Sequence, residues 1–370
     1  MDPHGPTAKR FPLVARLRPV CLPLPERVRA LTELASRAAQ QTDPGLASTV
    51  FNQAALLASD VGLPDLARSM CHRHAQAYLS ACPLPAMSAI RGLEPLINLA
   101  RLQIRAGHPD DARRRLLDLY QAVGTSSPAT FEGITVPANL TRTNKDHHEV
   151  HAWLWRVLLA DGTRTLTSTG RWQEALAHIE QHHGIGTRML DGRQVAVVAA
   201  LTESDTDRAE ELLTTTAPGE PWEQIVTACL TVFCCREAGQ AVDSQVANLV
   251  LAYLKHEAKP GLTVFDIRLG LTALDTLASD KHPAARRLVE DIAHRTADAC
   301  DGYAAREFVA HPLAAMLATT QQAQGCRELI GACALRAGAF PGGLHADLSA
   351  AVDTAGAVLT KAVAPARTSA

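Results

Sequence analysis

Residues 96–120, LINLARLQIRAGHPDDARRRLLDLY, decide the fold because they contain two amphipathic segments joined by a short turn. In the first segment, apolar residues recur at steps of three and four, which places them on one face of a helix. Gly107 then ends that segment, since glycine readily takes the left-handed backbone that closes a helix, and Pro109 suits the first turn of the next one. In the second segment Ala112 is small where two helices approach closely, and Leu116 follows one turn later. The stretch predicts one helical hairpin.

Three other stretches repeat this pattern. Residues 48–79 place Gly62 and Ala67 where the first hairpin has its turn glycine and small residue, and a third copy begins near Leu159 and turns at Gly170. A fourth copy, at 192–213, lacks the glycine. The equivalent small residues are separated by 45, 63 and 34 residues and are Ala67, Ala112, Ala175 and Ala209.

The composition favours helices and excludes several classes of protein. A chain of 370 residues exceeds one compact core, and its aromatic content of 4% is low for a β-rich protein. The formal net charge of -2 argues against a general electrostatic grip on nucleic acid. No apolar run approaches twenty residues, the start resembles no signal peptide, and the nine cysteines are irregularly spaced. We therefore expect a cytoplasmic protein with reduced thiols, no membrane association and no cofactor.

The turn and small-residue positions resemble the tetratricopeptide repeat family over residues 48–215. The resemblance depends on the glycine in the turn and the alanine five residues later, whereas the family's signature aromatics are largely missing and its spacing of about 34 residues is not kept. It implies an all-α fold, a right-handed superhelical α-solenoid of antiparallel helix pairs. Such a scaffold holds a peptide or protein partner in its concave groove.

The chain is expected to divide into three parts. Residues 1–25 are rich in proline and predict an extended or disordered lead, too short to hold a DNA-binding helix-turn-helix, so direct DNA binding is not expected. Residues 26–220 carry the repeats, with a long irregular loop at 124–146. Residues 221–364 continue as degenerate helices, including one at 304–324, and end in a helix from Ala346 that could cover the open end of the stack.

The predicted groove lies on the first helix of each hairpin. Arg101, Arg105 and Arg164 would make it positive and suited to a carboxylate or phosphate. Alternatively, Arg101 and Arg105 form a solvated helix face or pair with acidic residues such as Asp110 or Asp111. Asp60, Thr167 and Asp191 are expected on the same face. The predicted ligand-binding residues lie in the groove and at the loop-to-helix junction 142–156. They are Asn52, Arg101, Arg105, Arg142, Lys145, His148, Arg164 and Gln194.

An all-helical biosynthetic enzyme is the alternative. Its active site would lie at the 142–156 junction, where His147, His148 and His151 would act with Asp146 or Glu149 as partner. The spacing of His147 and His151 is one that zinc sites use, but no third ligand is evident, so we predict no metal. His72 and His74 are expected on a solvated helix face.

Overall fold

The computed structural model describes residues 1–277 and 279–363 and confirms an all-α fold. The helices of the first half are α1 (Leu24–Gln41), α2 (Pro44–Val61), α3 (Pro64–Leu79), α4 (Ala86–Arg105), α5 (Pro109–Gly124), α6 (Asn144–Val157), a π-helical turn (Leu158–Gly162), α7 (Thr163–Thr167) and α8 (Trp172–Gln181). Those of the second half are α9 (Asp191–Thr202), α10 (Thr206–Thr214), α11 (Pro221–Glu237), α12 (Asp243–Lys255), α13 (Thr263–Asp275), α14 (Pro283–Ala299), α15 (Gly302–Ala310), α16 (Pro312–Leu317), α17 (Thr320–Ala332) and α18 (Leu344–Val363). Among these, none is long and apolar enough to cross a bilayer.

The chain folds into two compact units. Of the described residues, unit I contains 1–23 and 166–333, and unit II contains 24–165 and 334–363. This division differs from the expected one, because the lead belongs to a folded unit and the last helix joins the first repeats.

In unit II the predicted hairpins are α2 with α3 and α4 with α5. Consecutive helices pack against each other, and α2 also contacts α4, which in turn contacts α6. Gly62 and Gly107 have the predicted left-handed backbone, with φ of 95° and 86°, and so does Gly170 at φ 76° in unit I. All four predicted small residues, Ala67, Ala112, Ala175 and Ala209, are fully buried.

In unit I the same alternation continues through the C-terminal third. Each helix from α9 to α14 packs against the next one along the chain, and α9, α11, α13 and α15 contact one another in succession. The fourth copy has Ser204 in the left-handed region, at φ 57°, five residues before Ala209. A serine thus takes the conformation that glycine takes at the other turns.

Two expectations, about the 124–146 loop and the 304–324 helix, are wrong. The 124–146 stretch holds an antiparallel hairpin, β1 (Ala129–Phe131) and β2 (Ile134–Val136), which packs on α5 and α3. The predicted 304–324 helix is three helices, because Pro312 lacks an N–H to donate and begins a new one. Helix α18, the terminal helix that was expected to cover the open end of the stack, packs on α1, α2 and α3.

The lead was expected to be either extended or disordered, and the structure shows that it is ordered. Apart from a 3₁₀ turn at Ala8–Arg10, residues 1–23 are irregular, yet Ala8, Phe11, Leu13 and Cys21 are buried. They are therefore part of the folded core of unit I.

Candidate functional site

Helix α4 carries a polar stripe on an otherwise buried surface. Most of its apolar residues are buried, and Leu93, Leu96 and Leu99 are fully so. Five polar residues that are half-buried or exposed recur at steps of three and four, which places them on one face: Arg91, Glu94, Asn98, Arg101 and Arg105. A helix buried elsewhere thus presents a row of charged and amide groups.

Helix α2 lies beside this stripe. Asn52 Nδ2 donates to Glu94 Oε2 at 2.8 Å, and Asn98 Nδ2 donates to Asn52 Oδ1 at 3.0 Å. Nearer the C-terminal ends of the two helices, Arg105 Nη1 donates to Ser59 Oγ at 2.5 Å. Because residue numbers rise together along both helices, α2 and α4 run parallel. The first helices of two successive hairpins therefore form one continuous surface, which we name the α2/α4 face: Asn52, Ser59, Glu94, Asn98, Arg101 and Arg105.

The π-helical turn contributes a buried carboxylate to this face. Arg101 Nε and Nη2 donate to Asp161 Oδ1 and Oδ2 at 2.9 and 2.8 Å, a two-point pair that fixes the guanidinium plane. Arg101 Nη1 also donates to Asn98 Oδ1 at 3.1 Å. Asp161 is 8% exposed. π-helical turns are rare in proteins, and those that occur often lie at functional sites. The turn therefore supports a functional role for the Arg101 and Asp161 pair.

The arginines of the face are paired with acids, so the face is not simply positive. Arg101 pairs with Asp161, and Arg105 lies 3.8 Å from Asp60, which also accepts from Arg27 at 2.8 Å. The alternative of acidic pairing is therefore correct, although Asp60 and Asp161 replace the partners that we considered. Asp60 itself is buried rather than groove-facing.

Glu94 is the half-buried acid of the face. Burial raises the pKa of its carboxyl, while the hydrogen bond from Asn52 and the charges of Arg91 and Arg101 act in the opposite direction. The carboxylate is thus partly desolvated and favours a ligand that offers an N–H or a positive charge.

The structure brings only some of the predicted residues together. Asn52, Arg101 and Arg105 meet on the α2/α4 face. Arg164 is exposed on α7, just past the π-helical turn. Arg142, Lys145 and His148 are exposed at the start of α6, where Arg142 Nε donates to Pro83 O at 3.2 Å and His148 Nδ1 contacts Asn144 O at 2.6 Å.

Gln194 does not line an open groove, contrary to the prediction. Gln194 is fully buried in unit I, where its Oε1 accepts from Leu13 N at 2.6 Å and its Nε2 donates to Leu13 O at 2.7 Å and Met189 O at 2.9 Å. Thr167 is also buried. Asp191 accepts from Arg16 at 2.7 Å, so the lead covers both Asp191 and Gln194.

Sequence reasoning missed Glu94, Asn98 and Asp161. Glu94 and Asn98 extend the α4 stripe from Arg101 at steps of three and four, so the pattern could have found them. Asp161 lies 60 residues from Arg101, and its role depends on the π-helical turn, which no local pattern signals.

The histidine cluster is built into helix packing. His147 Nε2 contacts Val123 O at 2.7 Å, and the His151 ring stacks on Tyr120 with centroids 4.4 Å apart. Burial and the neighbouring histidines lower the pKa of His151. Asp146, the predicted orienting acid, instead accepts from Ala86 N at 2.8 Å.

The Asp146 carboxylate therefore serves the helix start rather than a histidine, since its other oxygen accepts from Thr143 Oγ1 at 2.6 Å. Within residues 1–277 and 279–363, no cluster of three or more His, Cys, Asp or Glu side chains could hold a metal ion.

Comparisons with protein-family models, curated proteins and solved structures gave no match to this chain.

Proposed function

We propose that this chain is a binding scaffold whose α2/α4 face holds an extended peptide segment of a partner protein. One observation carries the proposal: two parallel helices, buried on their other sides, expose a fixed row of amide and charged groups. We further propose that the hairpins form a right-handed superhelical array of the tetratricopeptide kind, with this face on its concave side, and that capture of the peptide serves a regulatory purpose.

The amide groups suit a peptide backbone. Asn52 and Asn98 each carry both a donor and an acceptor, so together they can pair with the N–H and C=O groups of an extended chain without regard to its sequence. Their rotamers are already set by the bonds to Glu94 and Arg101. A ligand therefore meets an ordered surface and less conformational entropy is lost on binding.

The charges supply selectivity. Because the arginines are engaged by Asp161 and Asp60, the partly desolvated acid Glu94 is the group that a ligand can best complement. We therefore expect a peptide with a basic side chain opposite Glu94 rather than the anionic ligand that the sequence alone suggested.

A display library of random twelve-residue peptides tests the proposal. The wild-type chain should enrich a family of related peptides containing Lys or Arg. The variant Asn52→Ala/Glu94→Gln/Asn98→Ala should bind the selected peptides at least tenfold more weakly, a loss of about 1.4 kcal/mol.

The matched control changes charged residues on α5, the second helix of the same hairpin. Arg114→Ala/Arg115→Ala removes the pairs with Asp111 and should leave peptide affinity unchanged. Enrichment of no peptide family, or equal binding by the triple variant, would remove the proposed function.

A further inference from the structure

In unit I the helices α9, α11, α13 and α15 contact one another in succession, and we name them the inner row. At α9 and α13 this row differs from the α2/α4 face in one respect: it is covered. On α9, every residue from Gly192 to Leu201 is buried, including the polar Arg193 and Gln194. On α13, Arg268 is the one residue between Val264 and Leu274 that is not buried. Both helices occupy the same place in their hairpins as α2 and α4, which leave a polar stripe open.

The cover is the chain's own lead. Pro3 O accepts from Trp172 Nε1 at 3.2 Å, and Thr7 Oγ1 donates to Asp275 at 2.5 Å. Further along, Arg18 N donates to Gly261 O at 2.9 Å. The lead therefore lies across helices and turns that are far from it in sequence.

Residues 11–18 of the lead make the contacts of a bound extended peptide. The Gln194 side chain pairs with both the N–H and the C=O of Leu13, as a neighbouring β-strand would. This pairing reads the backbone and does not depend on the Leu13 side chain. After the 3₁₀ turn at Ala8–Arg10 the lead has no regular structure, and the backbone N–H groups of Leu13 and Arg18 find their acceptors outside it.

Three arginines of the lead complete the pattern. Arg10 pairs with Asp275 on α13 and also donates to Thr272 Oγ1 at 3.2 Å. Arg16 pairs with Asp191 on α9 at 2.7 Å. The Arg18 guanidinium lies 4.2 Å from the centre of the Tyr303 ring. The inner row thus recognises an extended backbone and cationic side chains at stated positions.

We infer that the inner row of unit I is a peptide-binding site, filled in cis by residues 3–18, and that its ligand class is a peptide that is extended after a short helical turn, with arginines spaced as Arg10 and Arg16. The bound segment can be replaced by a peptide of the same kind supplied in trans. This site is separate from the α2/α4 face, and the inference stands without the proposed function.

The test uses the full chain and a fluorescein-labelled peptide with the sequence of residues 3–19, with binding measured by fluorescence anisotropy. Arg10→Ala/Arg16→Ala weakens the occupant but leaves the helices unchanged, so this variant should bind the peptide at least tenfold more tightly than the wild-type chain. Arg29→Ala/Arg37→Ala, two exposed arginines on α1, is the matched control and should bind like wild type.

A third variant locates the binding. Adding Gln194→Met to Arg10→Ala/Arg16→Ala removes the backbone contact and should weaken peptide binding at least tenfold. Equal affinity of the Arg10→Ala/Arg16→Ala variant and the control, or no effect of Gln194→Met, would overturn the inference.

Hydrogen exchange on the wild-type chain decides the matter if the variants fail to fold. The amides of Leu13 and Arg18 are hydrogen-bonded to the inner row or its turns. If the lead detaches as a ligand does, they should exchange at least tenfold faster than the amides of Val197 and Leu271. Equal rates would mean that the lead opens only with the helices, which contradicts a replaceable occupant.

Discussion

Arg101 on α4 holds both carboxylate oxygens of Asp161, at 2.9 and 2.8 Å, and so ties the exposed polar stripe to the π-helical turn after α6. Asp161 is almost fully buried, whereas the Arg101 side chain is 52% exposed. The pair is therefore partly screened by solvent, and its coupling is expected to lie well below that of a buried pair.

A double-mutant cycle measures this coupling. Arg101→Met and Asp161→Asn should each lower the free energy of unfolding by about 1 kcal/mol, and the double variant should lose less than the sum, with a coupling of about 1 kcal/mol. The exposed pair Arg208 and Glu211 on α10 is the control, since Arg208→Met and Glu211→Gln should couple by only about 0.3 kcal/mol. Urea denaturation gives both values, and strict additivity for Arg101 and Asp161 would show that the pair adds no stability.

The turn at Gly107 gives a second prediction. Its φ of 86° disfavours any side chain, yet a Cβ there would meet no atom within 4 Å, so Gly107→Ala isolates the backbone cost. We expect a loss of about 1 kcal/mol in the free energy of unfolding. Gly325 on α17 is equally open but helical, so Gly325→Ala should instead stabilise by about 1 kcal/mol. The two substitutions should therefore shift the thermal midpoint in opposite directions, and shifts of the same sign would contradict the assignment of the turn.

The hairpins could be predicted from sequence because their signals are local. The glycine turns and the alanines five residues later recur within short windows, and periodicity locates the buried faces. The β-hairpin was missed although its sequence, TFEGITV, alternates apolar and polar residues around Glu132 and Gly133, which both take positive φ as a two-residue hairpin turn requires.

The candidate site could be predicted only in part. Asn52, Arg101 and Arg105 were found because each lies on a recognisable helix face. Asp161 and the lead could not be placed, since their partners are 60 and more than 160 residues away, and no spacing rule relates them. The open position expected for Gln194 was wrong for the same reason, since the segment that covers its side chain, around Leu13, lies 181 residues away in sequence.

Arg193 supplies a third prediction, about the stability of unit I. It is 6% exposed, and its guanidinium donates to Leu212 O at 2.7 Å and to hydroxyls of Thr215 and Thr216, which satisfies the carbonyl end of α10. Arg193→Met removes the guanidinium donors from both hydroxyls and leaves Leu212 O with only the bond from Thr216 Oγ1, so the free energy of unfolding should fall by about 2 kcal/mol. The ammonium group of Arg193→Lys cannot reproduce the planar set of guanidinium donors, so this variant should lose most of the same unfolding free energy.

The control for that prediction is Arg208→Lys, an exposed position on the same hairpin, which should change stability by less than about 0.5 kcal/mol. Urea denaturation followed by circular dichroism measures all three variants. A loss below about 1 kcal/mol for Arg193→Met would mean that water replaces the guanidinium at the helix end.

His74 gives the last prediction, which concerns acid stability. Contrary to the expected solvated face, His74 is 1% exposed, stacks on Phe51 with ring centroids 5.2 Å apart, and has no hydrogen-bond partner for either ring nitrogen among the described residues. Burial, with a smaller contribution from Arg91, lowers the pKa of its imidazole to about 3. The folded chain therefore keeps this ring neutral where the unfolded chain protonates it, near a pKa of about 6.5.

Because the unfolded state binds the extra proton, the contribution of His74 is fully present above the unfolded pKa and is lost as the pH falls from about 6.5 towards 3. The slope of the unfolding free energy against pH reaches about 1.4 kcal/mol per pH unit for one proton. His311, whose pKa burial lowers to about 4, adds to it above that pH.

Replacing His74 removes its share of this slope. His74→Phe, or His74→Leu if the larger ring does not fit, should stabilise the chain at neutral pH by about 1 kcal/mol, because the unpaired nitrogens are gone, and should flatten the dependence between pH 6 and 4. His294→Gln, at an exposed histidine on α14, is the control and should leave the slope as in wild type. Urea midpoints at half-unit pH steps measure the effect, and an unchanged slope for His74→Phe would mean that the buried ring is protonated in the folded chain.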